Sequence, residues 1–233
     1  MSVGLVEEIR AKIRENASPE HAVKVRRYFR EPIETHGLTS QAEKEITNHF
    51  YPRIKGDLHA TIKIANELVR SRIMDEVSIG IRLVKRFSRH LTPEHFDVFD
   101  GWVDDITNWA NTDSLCIWLI AETVRADPAL WSRLLEWTES ENRWRRRASA
   151  VSLVPITRKG DMLEEAFTIA DRLMRDSDDM VQKGVGWLLK EASKEHPEEV
   201  REFLLRWRSE APSLILRYAS EKLPPEKRVL KTR

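Results

Sequence analysis

The sequence predicts an all-α protein, an α-solenoid of about six helical hairpins. Three observations carry this. First, Asp113, Arg147, Lys183 and Arg217 recur at 147−113 = 34, 183−147 = 36 and 217−183 = 34 residues, and Val77 lies 36 before Asp113. Second, a small residue follows each of these anchors by three (Gly80, Cys116, Ala150, Gly186, Ser220) and a leucine by six (Leu83, Leu119, Leu153, Leu189, Leu223). At about 100° per residue the small residue and the leucine fall 60° apart on one helix face, which is the pattern of a buried stripe with a close neighbour. Third, the composition, 33% charged with 8 glycines in 233 residues, suits helices better than sheet.

The elements follow in order. Residues 2–14 read as an amphipathic helix. Ser18-Pro19-Glu20 opens the next, with Ser as cap and Pro in the first turn, and that helix stops near Pro32. Ser40 with Glu43 has the form of a capping box, and helices are expected over about 40–50, 57–71 and 75–90. Thr92-Pro93-Glu94 opens a helix read as 94–109, the first of the repeat that carries Asp113. Asp127-Pro128, Asn142, Ser177-Asp178-Asp179, His196-Pro197 and Pro212-Ser213 start the later helices, and Pro224-Pro225 ends the last. No linker divides the chain, so residues 1–233 are expected to be one domain, with the basic tail 224–233 frayed.

Several functional classes are excluded by what the chain lacks. There is no Walker A sequence, no GxGxxG, no CxxC pair and no nucleophile elbow, and the seven histidines have no metal-ligand spacing. Neither a metal nor another cofactor is expected. A single cysteine, Cys116, fits a reducing, cytoplasmic compartment, and no stretch approaches the length of a membrane span. The N-terminus lacks the apolar core of a signal peptide. Nothing indicates an obligate oligomer, so a monomer is expected.

The net charge of +1 conceals a strong asymmetry. Residues 92–140 hold ten acids against Arg125 and Arg133, whereas 142–160 hold Arg143, Arg145, Arg146, Arg147, Arg158 and Lys159 and no acid. A basic patch of this kind is either a nucleic-acid surface or an ordinary solvated face. The anchors sit at the N-terminal ends of second helices, at the edge of the buried stripe, where a side chain reaches the inner, concave wall of a curved stack. Three cations there, Arg147, Lys183 and Arg217, imply a polyanion, and Asp113 among them implies that positive charge is also handled. Of three consecutive arginines spread over 200° of a helix, Arg147 is the one expected to face a phosphate, with Arg146 reaching a more distant one. Trp109 lies four residues before Asp113 and Trp187 four after Lys183, one helical turn along the same faces. Both fit either ligand contact or plain helix packing.

The segments Trp109-Ala110-Asn111-Thr112-Asp113-Ser114, Asn142-Arg143-Trp144-Arg145-Arg146-Arg147-Ala148 and Val181-Gln182-Lys183-Gly184-Val185-Gly186-Trp187, with Arg27-Tyr28-Phe29 and Gly37-Leu38-Thr39 before them, resemble the AlkD-type family of DNA alkylation-repair glycosylases. The likeness runs over about 5–223. It implies HEAT-like repeats, a partner of double-stranded DNA with alkylated purines and, in a prokaryotic cell, a place at the nucleoid. It further implies that Trp109, Asp113, Arg147 and Trp187 line the active cleft and that Tyr28 matches the family's N-terminal tyrosine. The reaction implied is hydrolysis of the N-glycosidic bond of cationic N3- or N7-alkylated purines, with Asp113 stabilising an oxocarbenium-like state and the enzyme gripping the backbone without burying the base. The best-known members carry an Asp directly after the Trp, where this chain has Ala110. The other readings are a non-catalytic repeat protein for branched or distorted DNA, which would not need Asp113, and a HEAT-type protein-binding scaffold, which would not need the cations.

Overall fold

In the computed structural model, which describes residues 2–231 (the side chains of Ser2 and Val3 excepted), every regular element is helical. The contacts group the chain into two compact units, the first ending at Leu119 and the second beginning at Ile120.

The first unit contains α1 (Ser2–Glu15), α2 (Pro19–Tyr28), α3 (Ser40–Ile54), α4 (Leu58–Arg70), α5 (Met74–Lys85), α6 (Phe96–Val103) and α7 (Trp109–Leu115). One hydrophobic core there joins a stripe from each of four helices: Leu5, Val6, Ile9 and Ile13 of α1, Ile46, Phe50 and Ile54 of α3, Ile64 and Leu68 of α4, and Ile79 and Leu83 of α5. Four of these seven helices, α2, α3, α4 and α7, begin at a side-chain cap. Ser18 Oγ accepts from the His21 amide at 3.2 Å, Asp57 from Ala60 at 2.9 Å and Asn108 from Asn111 at 2.9 Å. Each cap satisfies an otherwise orphaned donor and contributes about 1 kcal/mol.

Two local expectations are corrected here. The cap of α3 is Thr39, whose Oγ1 accepts from the Ala42 amide at 3.1 Å, and Glu43 turns away to Ser78 and Arg82, so no Ser40–Glu43 box forms. The expected helix over 94–109 divides. A 3₁₀ turn at Pro93–His95 leads into α6, the chain leaves helix after Val103, and Asn108 caps a new helix at Trp109. Trp109 therefore belongs to the same helix as Asp113. After Leu115 the winding loosens to a π turn over Cys116–Ile120.

The second unit contains α8 (Ala121–Ala126), α9 (Trp131–Glu136), α10 (Arg143–Val151), α11 (Val154–Thr157), α12 (Leu163–Leu173), α13 (Asp179–Ala192), α14 (Pro197–Arg206) and α15 (Ser213–Ala219). Helix α13 is central to it, packing on α10, α11, α12 and α15. The repeat stripe is buried throughout. Ala150, Leu153 and Leu189 are fully inaccessible, Ser220 and Leu223 nearly so, and in the first unit Cys116, Leu83 and Leu119 match them. The small positions are small for a measurable reason. A Cβ on Gly186 would lie 2.5 Å from Tyr218 Cβ, and one on Gly80 3.3 Å from the Ala65 carbonyl, so α15 and α4 touch the backbones of their neighbours.

The same joint recurs once in each unit. Trp102 donates its indole N–H to Asn66 Oδ1 at 2.5 Å, and Trp207 donates to Asp171 Oδ1 at 3.0 Å. Both span 36 residues. The basic tail is tied down along most of its described length, contrary to expectation. Val229 is buried and exchanges two hydrogen bonds with Ser220, its amide giving to Oγ at 3.1 Å and its carbonyl receiving from Oγ at 3.2 Å. Lys227 also pairs with Glu198. The hydroxyl at the last small position of the repeat thus serves as the tail's anchor. Residues 232 and 233 lie outside the described range.

Candidate functional site

Helix α2 ends at Tyr28, and the segment that follows is fixed by hydrogen bonds at many points. Asp75, buried in the first turn of α5, accepts from Thr35 Oγ1 at 2.8 Å, from the His36 amide at 2.6 Å and from the Leu38 amide at 2.9 Å. The Ser18 amide donates to the His36 carbonyl at 3.0 Å, and the His21 ring meets the Gly37 carbonyl at 3.0 Å. Gly37 has φ +75°, and a Cβ there would lie 2.3 Å from the Ser18 carbonyl oxygen, so only glycine fits.

From the other direction, Asn108 and Asn111 fix the start of α7. Their side chains bond to each other at 2.6 Å, and Asn111 Nδ2 donates to the Met74 carbonyl at 3.3 Å. These two anchorages bring the ends of α2 and α7 together. Phe29 stacks on Trp109 with ring centres 5.5 Å apart and planes 28° apart. Tyr28 meets Trp109 edge-on at 6.1 Å and Phe29 at 5.5 Å. Phe29 is buried, Trp109 is half-buried and Tyr28 is 71% exposed, so the cluster is a rigid aromatic wall with an open outer edge. Behind it lies an open pocket of about 420 Å³ that Tyr28, Phe29, Trp109, Leu38 and Glu43 help to line.

Asp113 is half-buried on α7, one turn past Trp109 and on the same helix face. Its backbone carbonyl accepts from the Cys116 amide where the π turn begins. π turns interrupt regular winding and recur at functional sites in helical proteins.

In the second unit the predicted cations differ sharply in environment. Arg147 is 5% exposed, and its Nη1 donates to the Met180 carbonyl. Its stem runs across Gly184, where a Cβ would lie 3.2 Å from Arg147 Cγ. Arg146 grips Asp176 with Nε at 2.6 Å and gives Nη1 to the Ser140 and Glu141 carbonyls. Lys183 is half-buried with Nζ 3.1 Å from Asp179, and Arg217 is exposed. Trp187 is half-buried on α13, one turn beyond Lys183. Neighbouring arginines on α10 thus reach different partners: Arg146 the Asp176 carboxylate and the Ser140 and Glu141 carbonyls, Arg147 the Met180 carbonyl at the start of α13.

Beyond its place in the Arg27-Tyr28-Phe29 segment, Phe29 carries no signal of this stacking in the sequence, and Asp75 carries none. Phe29 follows an exposed tyrosine, and an Asp in a first helical turn ordinarily serves the helix dipole. Only the glycine at 37 hints that the connection is tightly built.

The chain is thus an all-helical repeat protein, with an aromatic wall at the start of α7 in the first unit and a buried, oriented guanidinium, Arg147, in the second. The DNA alkylation repair enzyme family model matches residues 9–223, and the chain belongs to that family. Comparison with curated proteins finds no match. Among solved structures, a protein described as a predicted DNA alkylation repair enzyme from Enterococcus faecalis is similar with a TM-score of 0.76 at 15% identity, over 90% of this chain and 98% of that one. AlkD2 from Streptococcus mutans gives 0.60 at 21% identity, over 88% and 99%. The alkylpurine DNA glycosylase AlkC from Pseudomonas fluorescens, bound to DNA containing an abasic site analogue, gives 0.51 at 18% identity, over 94% and 62%. At these identities the likenesses establish a shared fold.

Proposed function

We propose that the chain is a DNA glycosylase that hydrolyses the N-glycosidic bond of cationic N3- or N7-alkylated purines in duplex DNA. The observation that carries the reading is α7 itself: a partly open tryptophan held in an aromatic wall, and a carboxylate one turn along the same face, in a member of the DNA alkylation repair family.

The chemistry asks little of a protein. Alkylation already makes the base a cation and a good leaving group. When the C1′–N bond breaks, its electron pair leaves with the base and positive charge moves to the deoxyribose. The Asp113 carboxylate stabilises that charge and orients a water whose oxygen adds to C1′ while its proton is released to solvent. Trp109 and Trp187 bear on the sugar and the backbone, and Tyr28 extends the aromatic contact. Arg147 has its orientation set by the Met180 carbonyl, so little of its freedom remains to be lost on gripping a phosphate. Lys183 and Arg217 add phosphate contacts, while Arg146 stays engaged with Asp176 and the Ser140 and Glu141 carbonyls.

The test is release of methylated purines from methylated duplex DNA by wild type and Asp113→Asn, with DNA affinity measured in parallel. Release by wild type, falling by about 10²–10³-fold in the variant with affinity retained, supports the assignment. Absence of release from folded, DNA-binding wild type would make the chain a non-catalytic DNA binder.

A further inference from the structure

Lys44, Arg82, Lys85 and Arg86, with Thr47 and Asn48, line one open pocket of about 220 Å³ beside α3 and the C-terminal half of α5. Among the described residues only Arg82 of these four cations has a carboxylate partner, Glu43, at 3.0 Å. Glu43 is itself buried, and burial raises its pKa, so it is a poor counter-charge for the group.

Three of the four cations lie over aromatic faces, which do not neutralise them. Lys85 Nζ lies 3.6 Å from the centre of the Trp118 ring, the Arg82 guanidinium lies 5.3 Å from the same ring, and Arg86 lies 4.3 Å from the centre of Tyr51. Burial lowers the pKa of Lys85, and the neighbouring Arg82 charge lowers it further. Like charges a few ångströms apart repel by roughly 1 kcal/mol per pair even in water. A cluster of this kind is relieved when an anion enters. A phosphate group fits the donor set: two guanidinium forks, two ammonium groups and an exposed side-chain amide at Asn48.

We propose that this pocket is a phosphate-binding site that takes a phosphate of the DNA backbone. Lys44, Lys85 and Arg86 are its charged contacts, and Trp118 is the platform that positions Lys85. The proposal rests on the reading of the chain as DNA-binding and adds a grip in the first unit that the repeat register, whose anchor on this helix is the apolar Val77, does not contain.

The experiment uses Lys44→Gln, Lys85→Gln and their combination, with Lys85→Arg as the charge-preserving control. Both lysines are exposed, so the variants should keep the urea midpoint of wild type. The dissociation constant for an undamaged duplex oligonucleotide is measured at several salt concentrations. The slope of log K against log salt should shrink by roughly 0.9 for each lost phosphate contact, with Lys85→Arg restoring it. A slope unchanged in the double variant overturns the proposal. Titration of the DNA-free protein with inorganic phosphate, read by the change in tryptophan fluorescence that Trp118→Phe removes, separates the two sources of anion. Phosphate binding with an unchanged DNA slope means a free-anion site and also overturns it. Because undamaged DNA is used, a wild type that releases no methylated purine would sink the glycosylase reading and leave this result intact.

Discussion

Gly37 is the residue whose replacement should be felt most directly. In Gly37→Ala the new methyl meets the Ser18 carbonyl and the Ala22 amide at 2.3 and 2.5 Å, on a backbone that alanine itself disfavours. A loss of about 2 kcal/mol or more is expected in urea unfolding. Gly101 is the contrast. It lies in α6 with nothing within 4 Å of a Cβ, so Gly101→Ala should stabilise by about 0.5–1 kcal/mol. Sequence sets Gly37 apart by its Gly37-Leu38-Thr39 segment but shows nothing of the Ser18 and Ala22 backbone it meets. Spacing told more about the repeat positions, because a small residue every 34–36 residues has meaning only if a neighbouring helix passes there, as Tyr218 does at Gly186. It told less about Arg146 and Arg147. Helical angles separate their directions, but the Asp176 carboxylate and the Met180 carbonyl that receive them come from 30 and 33 residues away.

Helices read well where punctuation was chemical and poorly where tertiary contacts outbid it. Asn142 and Asp178 cap α10 and α13 as their residue types predict, accepting from Trp144 at 2.9 Å and Met180 at 2.8 Å. Glu43 had the spacing for a capping box, yet the buried hydroxyl of Ser78 and the guanidinium of Arg82, 35 and 39 residues on, offered it a better place. The break between α6 and α7 was missed because its cause is the Asn108–Asn111 pair and its bond to Met74, which local propensity does not register. At this scale the arginines of the second unit should separate by assay. Arg146→Ala leaves Asp176, whose side chain is 7% exposed, without its guanidinium and should cost roughly 3 kcal/mol in stability. Arg217→Ala, exposed on α15, should leave the unfolding midpoint within about 0.5 kcal/mol of wild type and weaken DNA binding alone. Thermal melts and DNA titrations of the two variants check both halves.

Across the whole chain, two buried carboxylates pull stability in opposite directions with pH. Burial raises the pKa of Glu43 above 4.5, outweighing Ser78 and Arg82. Between 4.5 and its folded value the native state binds the extra proton, so its contribution to stability falls as pH rises through that window. Burial acts on Glu191 as well, but hydrogen bonds and charges from Lys194 and Arg158 outweigh it and lower its pKa. Its contribution is therefore present above 4.5 and lost as pH falls through its folded value. Glu43→Gln should flatten the decline above pH 4.5, and Glu191→Gln should blunt the loss on acidification, both read from urea midpoints against pH. The all-α class and the repeat were legible in the sequence because period and stripe are written in the residues. The aromatic wall was legible only as separate letters, since Phe29 and Trp109 are 80 positions apart and meet through a loop whose folding depends on Asp75. The paired indoles finally give the molecule two internal spectroscopic probes. Trp102, fixed to Asn66, reports on the first unit, and Trp207, fixed to Asp171, reports on the second. Their ring N–H protons should exchange slowly with deuterium, and the order in which the two signals fade under mild urea gives the sequence in which the units open.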